Sequence, residues 1–179
     1  IQAGETIAEM RRIMSYATVI IGATNYSFIT TDAVGYALRR GARFLSLPLS
    51  CNDGRSLLEQ DFLRMNPATA ARLGRPMLRC LRRSDTVHIT TKLGTDITFG
   101  IRGRNPGLFN GVTTRPGICA SASFEVYIPP VEDQTNGRVI LDGSMGYIGL
   151  VERPLELGFE NGRLTYIDHT PDGDRLRRF

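Results

Sequence analysis

The sequence changes character near residue 84, and this change constrains the fold more than any other feature. Before it, helical patterns alternate with apolar strand patterns; after it, short β-rich runs are separated by Gly, Pro and Asn. Alternating strands and helices indicate a parallel sheet, whereas consecutive short strands indicate antiparallel pairing. The sequence therefore predicts an α/β protein, with an N-terminal parallel β-α-β segment followed by a mainly antiparallel β segment.

The first segment contains one clear β-α-β unit. The apolar run at 17–24 is typical of a parallel strand that is covered on both faces. Thr30 or Thr31 offers an N-cap for the helix that follows, Gly41 ends that helix, and a second strand is expected at 42–49. A helix at 4–15 precedes this unit, and helical stretches at 55–65 and 67–83 follow it, with Pro76 kinking or splitting the second.

The second segment reads as strands joined by tight turns. The runs at 86–93 and 95–101 are β-rich, and residues 102–117 are crowded with Gly, Pro and Asn, which predicts a long ordered loop. Two Asn-Gly pairs, Asn136-Gly137 and Asn161-Gly162, are the strongest short-range signal for hairpin turns. We therefore expect two domains, a Rossmann-like α/β segment at 1–84 and a β-rich segment at 85–179.

Composition narrows the class of protein. The 179 residues include 41 % hydrophobic and 22 % charged residues, as in ordinary globular domains. No apolar run approaches the ~18 residues of a membrane-spanning helix, and no signal peptide is visible. These observations predict a cytoplasmic protein without a membrane partner.

The basic residues do not indicate a nucleic-acid site. The net charge is only +4, and every basic residue except Lys92 is Arg. The densest basic stretch, at 72–83, contains no aromatic residue, whereas nucleic-acid binders often place stacking rings among their charges. We therefore expect no nucleic-acid partner.

Few side chains offer nucleophilic or metal-binding chemistry. Cys51, Cys80 and Cys119 lie far apart and form no CxxC pair, so reduced thiols are expected rather than a disulfide framework or a structural zinc site. His88 and His169 are the only histidines, so a histidine-rich metal site cannot be built from this chain alone. We expect His88 to be structural or half-exposed and His169 to face solvent, and we assign no catalytic or cofactor-binding residue.

Glu125 is the one candidate metal ligand. It lies between Phe124 and Val126 in the segment SFEVYIPPVED. A carboxylate buried among such neighbours would need a cation or hydrogen-bond donors, and divalent metals suit carboxylates. The other interpretation is that Glu125 occupies the solvent face of an edge strand, and the spacing alone leaves both open.

The segments GTDITFGIRGR, FEVYIPPVEDQTNGRVILDG and PLELGFENGRLTYI resemble the aminopeptidase T family of thermophilic metalloprotease-like, leucyl aminopeptidase-like enzymes. GARFLSLP and the helix at 67–83 are similar to the first domain of that family, so the resemblance covers nearly the whole chain. It implies a metal-dependent, two-domain exopeptidase that dimerises, with Glu125 as a ligand of the dinuclear metal centre. A divergent branch of the family comprises dihydroxypyridine dioxygenases. The turn CASASF at 119–124 departs from the Pro- and Gly-containing turn that is usual in the family.

The resemblance implies three alternative functions. The leading one is an aminopeptidase-like hydrolase that removes N-terminal residues from peptides with a water activated by two divalent metals, Zn, Co or Mn. The alternatives are an Fe(II) ring-cleaving dioxygenase that acts on a hydroxylated pyridine or aromatic, and a non-catalytic homologue. The resemblance places the remaining metal ligands beyond Phe179, so we expect a fragment that lacks the C-terminal part of the metal site and is inactive alone. The expected partners are a peptide or small-molecule substrate and a second copy of the chain.

Overall fold

The computed structural model describes residues 3–25, 27–49, 56–121, 124–146 and 148–178. It is a mixed α/β structure with a three-stranded parallel sheet and a five-stranded antiparallel sheet, which confirms the predicted fold class. The chain forms two compact units. Unit 1 consists of residues 1–75 and 108–126, and unit 2 of residues 76–107 and 127–179. The division into two domains at residue 84 remains a prediction. In the structure, residues 108–126, which follow that position in the sequence, pack with unit 1.

Unit 1 is built around the parallel sheet, in the order β1-β2-β6. Residue pairs such as Ile20–Phe44 and Phe44–Cys119 are in register across its three strands. The elements of unit 1 are α1 (Ala3–Met14), β1 (Val19–Thr24), α2 (Asp32–Arg39), β2 (Arg43–Pro48), two short 3-10 turns (Leu57–Glu59 and Asp61–Arg64), the first part of α3 (Pro67–Leu81) and β6 (Cys119–Ser121).

Helix α2 begins and ends as its sequence predicts. The Thr31 hydroxyl caps its N-terminus by accepting a hydrogen bond from the Val34 amide at 3.5 Å. Gly41 follows the helix with a φ of +90°, a conformation that costs glycine little because it has no Cβ. The loop then leads directly into β2, so the expected strand, helix and strand are confirmed in their order and parallel direction.

The core of unit 1 lies between helices α1 and α2 and one face of the sheet. Phe44 on the central strand is fully buried and meets Phe28 edge to face, with ring centroids 5.2 Å apart. Gly22 on β1 makes room for these rings, since a Cβ there would lie 2.9 Å from both. The buried members of this core are Met14, Ala33, Val34, Ala37, Ala42 and Phe44.

The opposite face of β1 differs from the prediction. The apolar run predicted a strand covered on both faces, but Ile21 is 60 % exposed and Val19 is also exposed. The reason is that β1 is an edge strand of its sheet and that the core formed with α1 and α2 lies on its Ile20 and Gly22 side. This prediction of double cover was therefore wrong for β1 in the part of the chain that the structure describes.

The region after β2 also departs from expectation. The helix predicted at 55–65 is replaced by the two 3-10 turns, the first capped by the Ser56 hydroxyl. Helix α3, in contrast, runs unbroken through Pro76, so this proline does not split it. Proline removes one backbone donor and crowds the preceding turn, and the boundary between the two units falls at this residue.

Unit 2 is built around the antiparallel sheet, in the order β12-β11-β8-β4-β3. The predicted 102–117 loop contains a short strand, β5 (Gly107–Phe109), which pairs with β7 (Glu125–Tyr127) as a separate two-stranded sheet. Residues 108, 109, 125 and 126 of this small sheet belong to unit 1. The remaining elements are β3 (Thr86–Thr90), β4 (Asp96–Gly100), β8 (Thr135–Leu141), β9 (Ser144–Met145), β10 (Gly149–Leu150), β11 (Leu155–Glu160), β12 (Arg163–Ile167) and α4 (Pro171–Leu176).

The two Asn-Gly pairs have different roles. Asn161 and Gly162 have φ angles of 47° and 76° and join β11 to β12, which confirms that hairpin turn. Asn136 and Gly137 instead lie inside β8, so the second hairpin prediction was wrong. Gly137 has a φ of +121° and packs so closely on β4 that a Cβ would lie 2.2 Å from the Asp96 carbonyl oxygen.

The apolar face of unit 2 is closed by helix α4. Leu155 and Leu157 on β11 pack with Leu176 of this helix and with Ile148 and Val151. At the start of α4, Thr170 accepts a hydrogen bond from the Gly173 amide at 3.0 Å and caps the helix. No helix in the part of the chain that the structure describes has the length and apolar content to span a bilayer.

Candidate functional site

Strand β7 places Glu125 on an exposed surface. The central residue of the strand, Val126, points toward helix α3, where Gly74 leaves room for it. Because side chains alternate along a strand, Glu125 and Tyr127 point the other way, and both are exposed. The close approach of Val126 to α3 therefore determines which way Glu125 faces.

The exposure of Glu125 matches the solvent-facing interpretation that the sequence left open. Among the residues that the structure describes, none forms an ion pair or hydrogen bond with its carboxylate. A hydrated carboxylate needs no cation to offset a burial cost, so burial no longer argues for a metal at this position. Its role as a metal ligand stays a prediction that rests on the resemblance of its segment.

The second acidic residue of the same segment has a partner. Glu132 pairs with Arg104, whose guanidinium also donates it a hydrogen bond. The pKa of Glu132 is lowered, first by a hydrogen bond from its own backbone amide and then by Arg104. Within unit 2 this carboxylate is therefore engaged in a surface ion pair.

The two histidines lie on the surface of unit 2. His88 Nε2 is 2.7 Å from Asp96 Oδ1, and both side chains are more than half exposed. His169 is also exposed, with its Nδ1 3.4 Å from Arg177 Nη2. The structure thus places His88 in the half-exposed setting that was one of its two expected settings, and it confirms that His169 faces solvent. Contacts between exposed groups such as these contribute little to stability.

The described residues contain no group of three or more His, Cys, Asp or Glu side chains that could hold a metal ion. Cys80 is exposed, Cys119 packs against the core of unit 1, and both are free thiols. Cys51 lies outside the described residues. The ligand set of a complete metal centre is therefore not found in the part of the chain described here.

Unit 1 instead contains a cavity of about 330 Å³. Its wall on the sheet side is formed by Leu45 and Leu47 of β2, on the face opposite the Phe44 core. The 3-10 turns, the beginning of α3, and segments near β5 and β7 complete the wall. These contribute Leu58, Phe62, Leu63, Met65, Pro67, Ala70, Asn110, Gly111 and Phe124.

No pattern in the sequence predicted this cavity. Its lining comes from separate segments, and the region at 55–65 was predicted as a regular helix rather than as two 3-10 turns. The available signal was the set of apolar residues in those turns, Leu58, Phe62 and Leu63. They follow β2 in the sequence but are not spaced to form one face of a helix. No local pattern indicates that Asn110 and Phe124, far along the chain, join them.

A family model described as NicX, 2,5-dihydroxypyridine 5,6-dioxygenase, matches residues 2–179. No curated protein matches the chain significantly.

Among solved structures, the 2,5-dihydroxypyridine dioxygenase from Pseudomonas putida KT2440 is similar, with a TM-score of 0.74 and 17 % identity over 98 % of this chain and 49 % of that one. Wild-type AmpT from Thermus thermophilus is similar with a TM-score of 0.58 and 15 % identity, over 98 % of this chain and 55 % of that one. The chain thus shares its fold with both proteins and spans about half the length of each.

Proposed function

This chain belongs to the 2,5-dihydroxypyridine 5,6-dioxygenase family, and from that membership we propose that the protein is a ring-cleaving dioxygenase of hydroxylated pyridines. The observation that carries the proposal is the match of the family model along essentially the whole chain. The resemblance of the sequence to the wider family pointed first to its aminopeptidase branch, and the family match supports the dioxygenase alternative better.

The proposed reaction needs a metal, and we propose Fe(II). Bound Fe(II) would offer coordination positions for O₂ and for the hydroxylated ring, and would pass electrons from the ring, which is oxidised, to O₂, which is reduced. The described residues do not fit a complete site for such an ion, since they contain no group of three potential ligands. We propose that a protein as long as the two solved relatives supplies the other ligands from its remaining half.

The aminopeptidase-like hydrolase remains the second candidate, because the fold is shared with AmpT and because Glu125 matches the family's metal-binding glutamate. Its metals would be Zn, Co or Mn. A non-catalytic homologue is the third candidate, favoured by the CASASF sequence before Glu125, which departs from the usual family sequence and whose first three residues form strand β6 rather than a turn.

The deciding experiment uses the natural full-length protein, purified without oxygen and supplied with Fe(II). We expect consumption of one O₂ per 2,5-dihydroxypyridine, with both atoms of ¹⁸O₂ recovered in the ring-opened product. Parallel assays with leucine p-nitroanilide and Zn, Co or Mn test the hydrolase. Hydrolysis of leucine p-nitroanilide without oxygen uptake would replace the dioxygenase proposal with the hydrolase, and a lack of both activities and of bound metal would favour the non-catalytic homologue.

A further inference from the structure

The cavity of unit 1 has the size of a pocket for a small ring. At about 330 Å³ it is roughly twice the ~150 Å³ engineered cavity that admits benzene, and it lies at the lower end of the range of small-molecule pockets. Leu58 and Phe62 in its wall are 47 % and 39 % exposed, so the cavity opens to solvent between the 3-10 turns. A single substituted ring can therefore enter it.

The lining of the cavity selects for an uncharged aromatic ligand. None of the lining side chains that the structure describes carries a charge, so an ion would lose its hydration without gaining a partner among them. Phe62 and Phe124 provide aromatic surfaces, and the Met65 thioether can contact a ring edge favourably. The remaining walls are mostly aliphatic, as at Leu47 and Ala70, which favours a flat apolar body.

One side chain in the lining can orient such a ligand. Among the described lining residues, Asn110 alone has an amide side chain, and its Nδ2 donates to the Pro67 carbonyl oxygen at 3.3 Å. This hydrogen bond positions the amide and leaves its Oδ1 as an acceptor. A ligand that carries a hydroxyl or a ring N–H can donate to that oxygen.

We propose that this cavity is a binding site for a neutral, single-ring hydroxylated aromatic molecule, which packs against the phenylalanines and donates one hydrogen bond to Asn110. The size, the apolar lining and the single acceptor carry the inference. Only the choice of a hydroxypyridine as the ring rests on the proposed function.

The test uses the full-length protein, metal-free and without oxygen, with ¹³C-methyl-labelled methionine. This sequence contains Met10, Met14, Met65, Met77 and Met145, of which only Met65 lines the cavity. The probe is 3-hydroxypyridine, and a Met65→Leu variant identifies the Met65 signal. We expect a saturable shift of that signal, with the other four methyl signals of this chain unmoved.

Two matched substitutions on helix α3 locate the binding site. Ala70→Leu fills part of the cavity, whereas Ala68→Leu makes the same change at an exposed position outside the lining. We expect Ala70→Leu to weaken probe binding by about tenfold or more, the effect of a small misfit in an apolar pocket, and Ala68→Leu to leave it unchanged. Thermal melting of both variants shows whether Ala70→Leu still folds.

A fourth variant tests the hydrogen bond independently of the filling experiment. Pyridine lacks the hydroxyl donor, so it is expected to bind wild type more weakly than 3-hydroxypyridine, and Asn110→Leu is expected to erase this difference. A Met65 signal that stays fixed at millimolar probe, or that shifts equally in Ala70→Leu, would overturn the proposal.

The two proposals fail separately. Oxygen uptake with 2,5-dihydroxypyridine but no Met65 shift would remove the cavity proposal and keep the dioxygenase. A Met65 shift without oxygen uptake would keep the cavity proposal and remove the dioxygenase proposal.

Discussion

Gly74 in helix α3 lies directly against Val126 in strand β7: a Cβ at position 74 would be 3.2 Å from the Val126 Cγ2 methyl and 2.8 Å from Leu108 Cδ1. The absence of a side chain at Gly74 therefore allows the pair of strands β5 and β7 to pack on the helix. Because Val126 occupies this inward position, the neighbouring Glu125 is presented to solvent. The orientation of the candidate ligand is thus determined by a glycine fifty residues away in the sequence.

The first prediction concerns Glu125. Its side chain is exposed, so Glu125→Gln is expected to change the stability of the metal-free protein by less than about 0.5 kcal/mol, as for other surface substitutions. If Glu125 binds metal in the full-length protein, the same variant loses metal affinity and activity. The loss is expected to be at least about 10–100-fold, which is the effect of replacing residues that only hold the metal ligands in place. Metal analysis, turnover and thermal melting measure the three quantities.

Glu160→Gln is the matched control, because Glu160 is an exposed glutamate on β11 in unit 2. It is expected to change neither metal content nor activity. Equal metal content in Glu125→Gln and wild type would reject the ligand assignment.

The second prediction concerns the close contact between β8 and β4. Gly137→Ala would place a Cβ 2.2 Å from the Asp96 carbonyl oxygen and would force alanine into a positive φ. A left-handed backbone conformation costs about 1–2 kcal/mol and overpacking about 1–3 kcal/mol, so we expect the variant to lose at least about 2 kcal/mol of unfolding free energy.

Urea denaturation measures this loss. Gly143→Ala is the control, since a Cβ at Gly143 would have no neighbour within 4 Å and its φ is not in the positive range. Similar denaturation midpoints for the two variants would show that β8 can shift away from β4 at little cost.

The third prediction concerns pH. The Asp172 carboxylate is buried at the start of α4, and its pKa is lowered by a hydrogen bond from Arg175 and, next, by one from the Glu152 backbone amide at 2.8 Å. A carboxyl group whose folded pKa lies below the unfolded value of about 3.9 stabilises the fold fully above that value. The stabilisation is then lost as the pH falls through the folded pKa.

We therefore expect Asp172→Asn to melt at a lower temperature than wild type at pH 7. This difference in melting temperature is expected to narrow as the pH falls below about 4. Asp174→Asn is the control, because Asp174 on the same helix pairs with Arg177 at the helix C-terminus but is exposed. A gap between Asp172→Asn and wild type that stays constant from neutral to acidic pH would contradict this role of the ionised carboxylate.

The elements that the sequence predicted correctly are those determined by local chemistry. Helix α2 is one example: the Thr31 hydroxyl and Gly41 mark its two ends through contacts within a few residues. The hairpin at Asn161-Gly162 is another, because both residues readily adopt a positive φ.

The errors arose where distant parts of the chain decide the outcome. Gly137 looked like a turn residue, but the neighbouring backbone of Asp96 is what requires a glycine there. The apolar β1 pattern indicated two covered faces, yet the core that it joins covers only one of them. The cavity could not be predicted because Met65, Asn110 and Phe124 meet only in the folded unit.

The parallel sheet of unit 1 has a practical consequence for anyone who wishes to isolate it. Its first two strands come from the first 48 residues, but β6 comes from Cys119–Ser121, after two strands of the other sheet. A gene truncated at residue 84 would encode β2 without its neighbour on the Cys119 side. A minimal version of unit 1 has to be spliced instead, with a designed linker that joins residue 75 to residue 108.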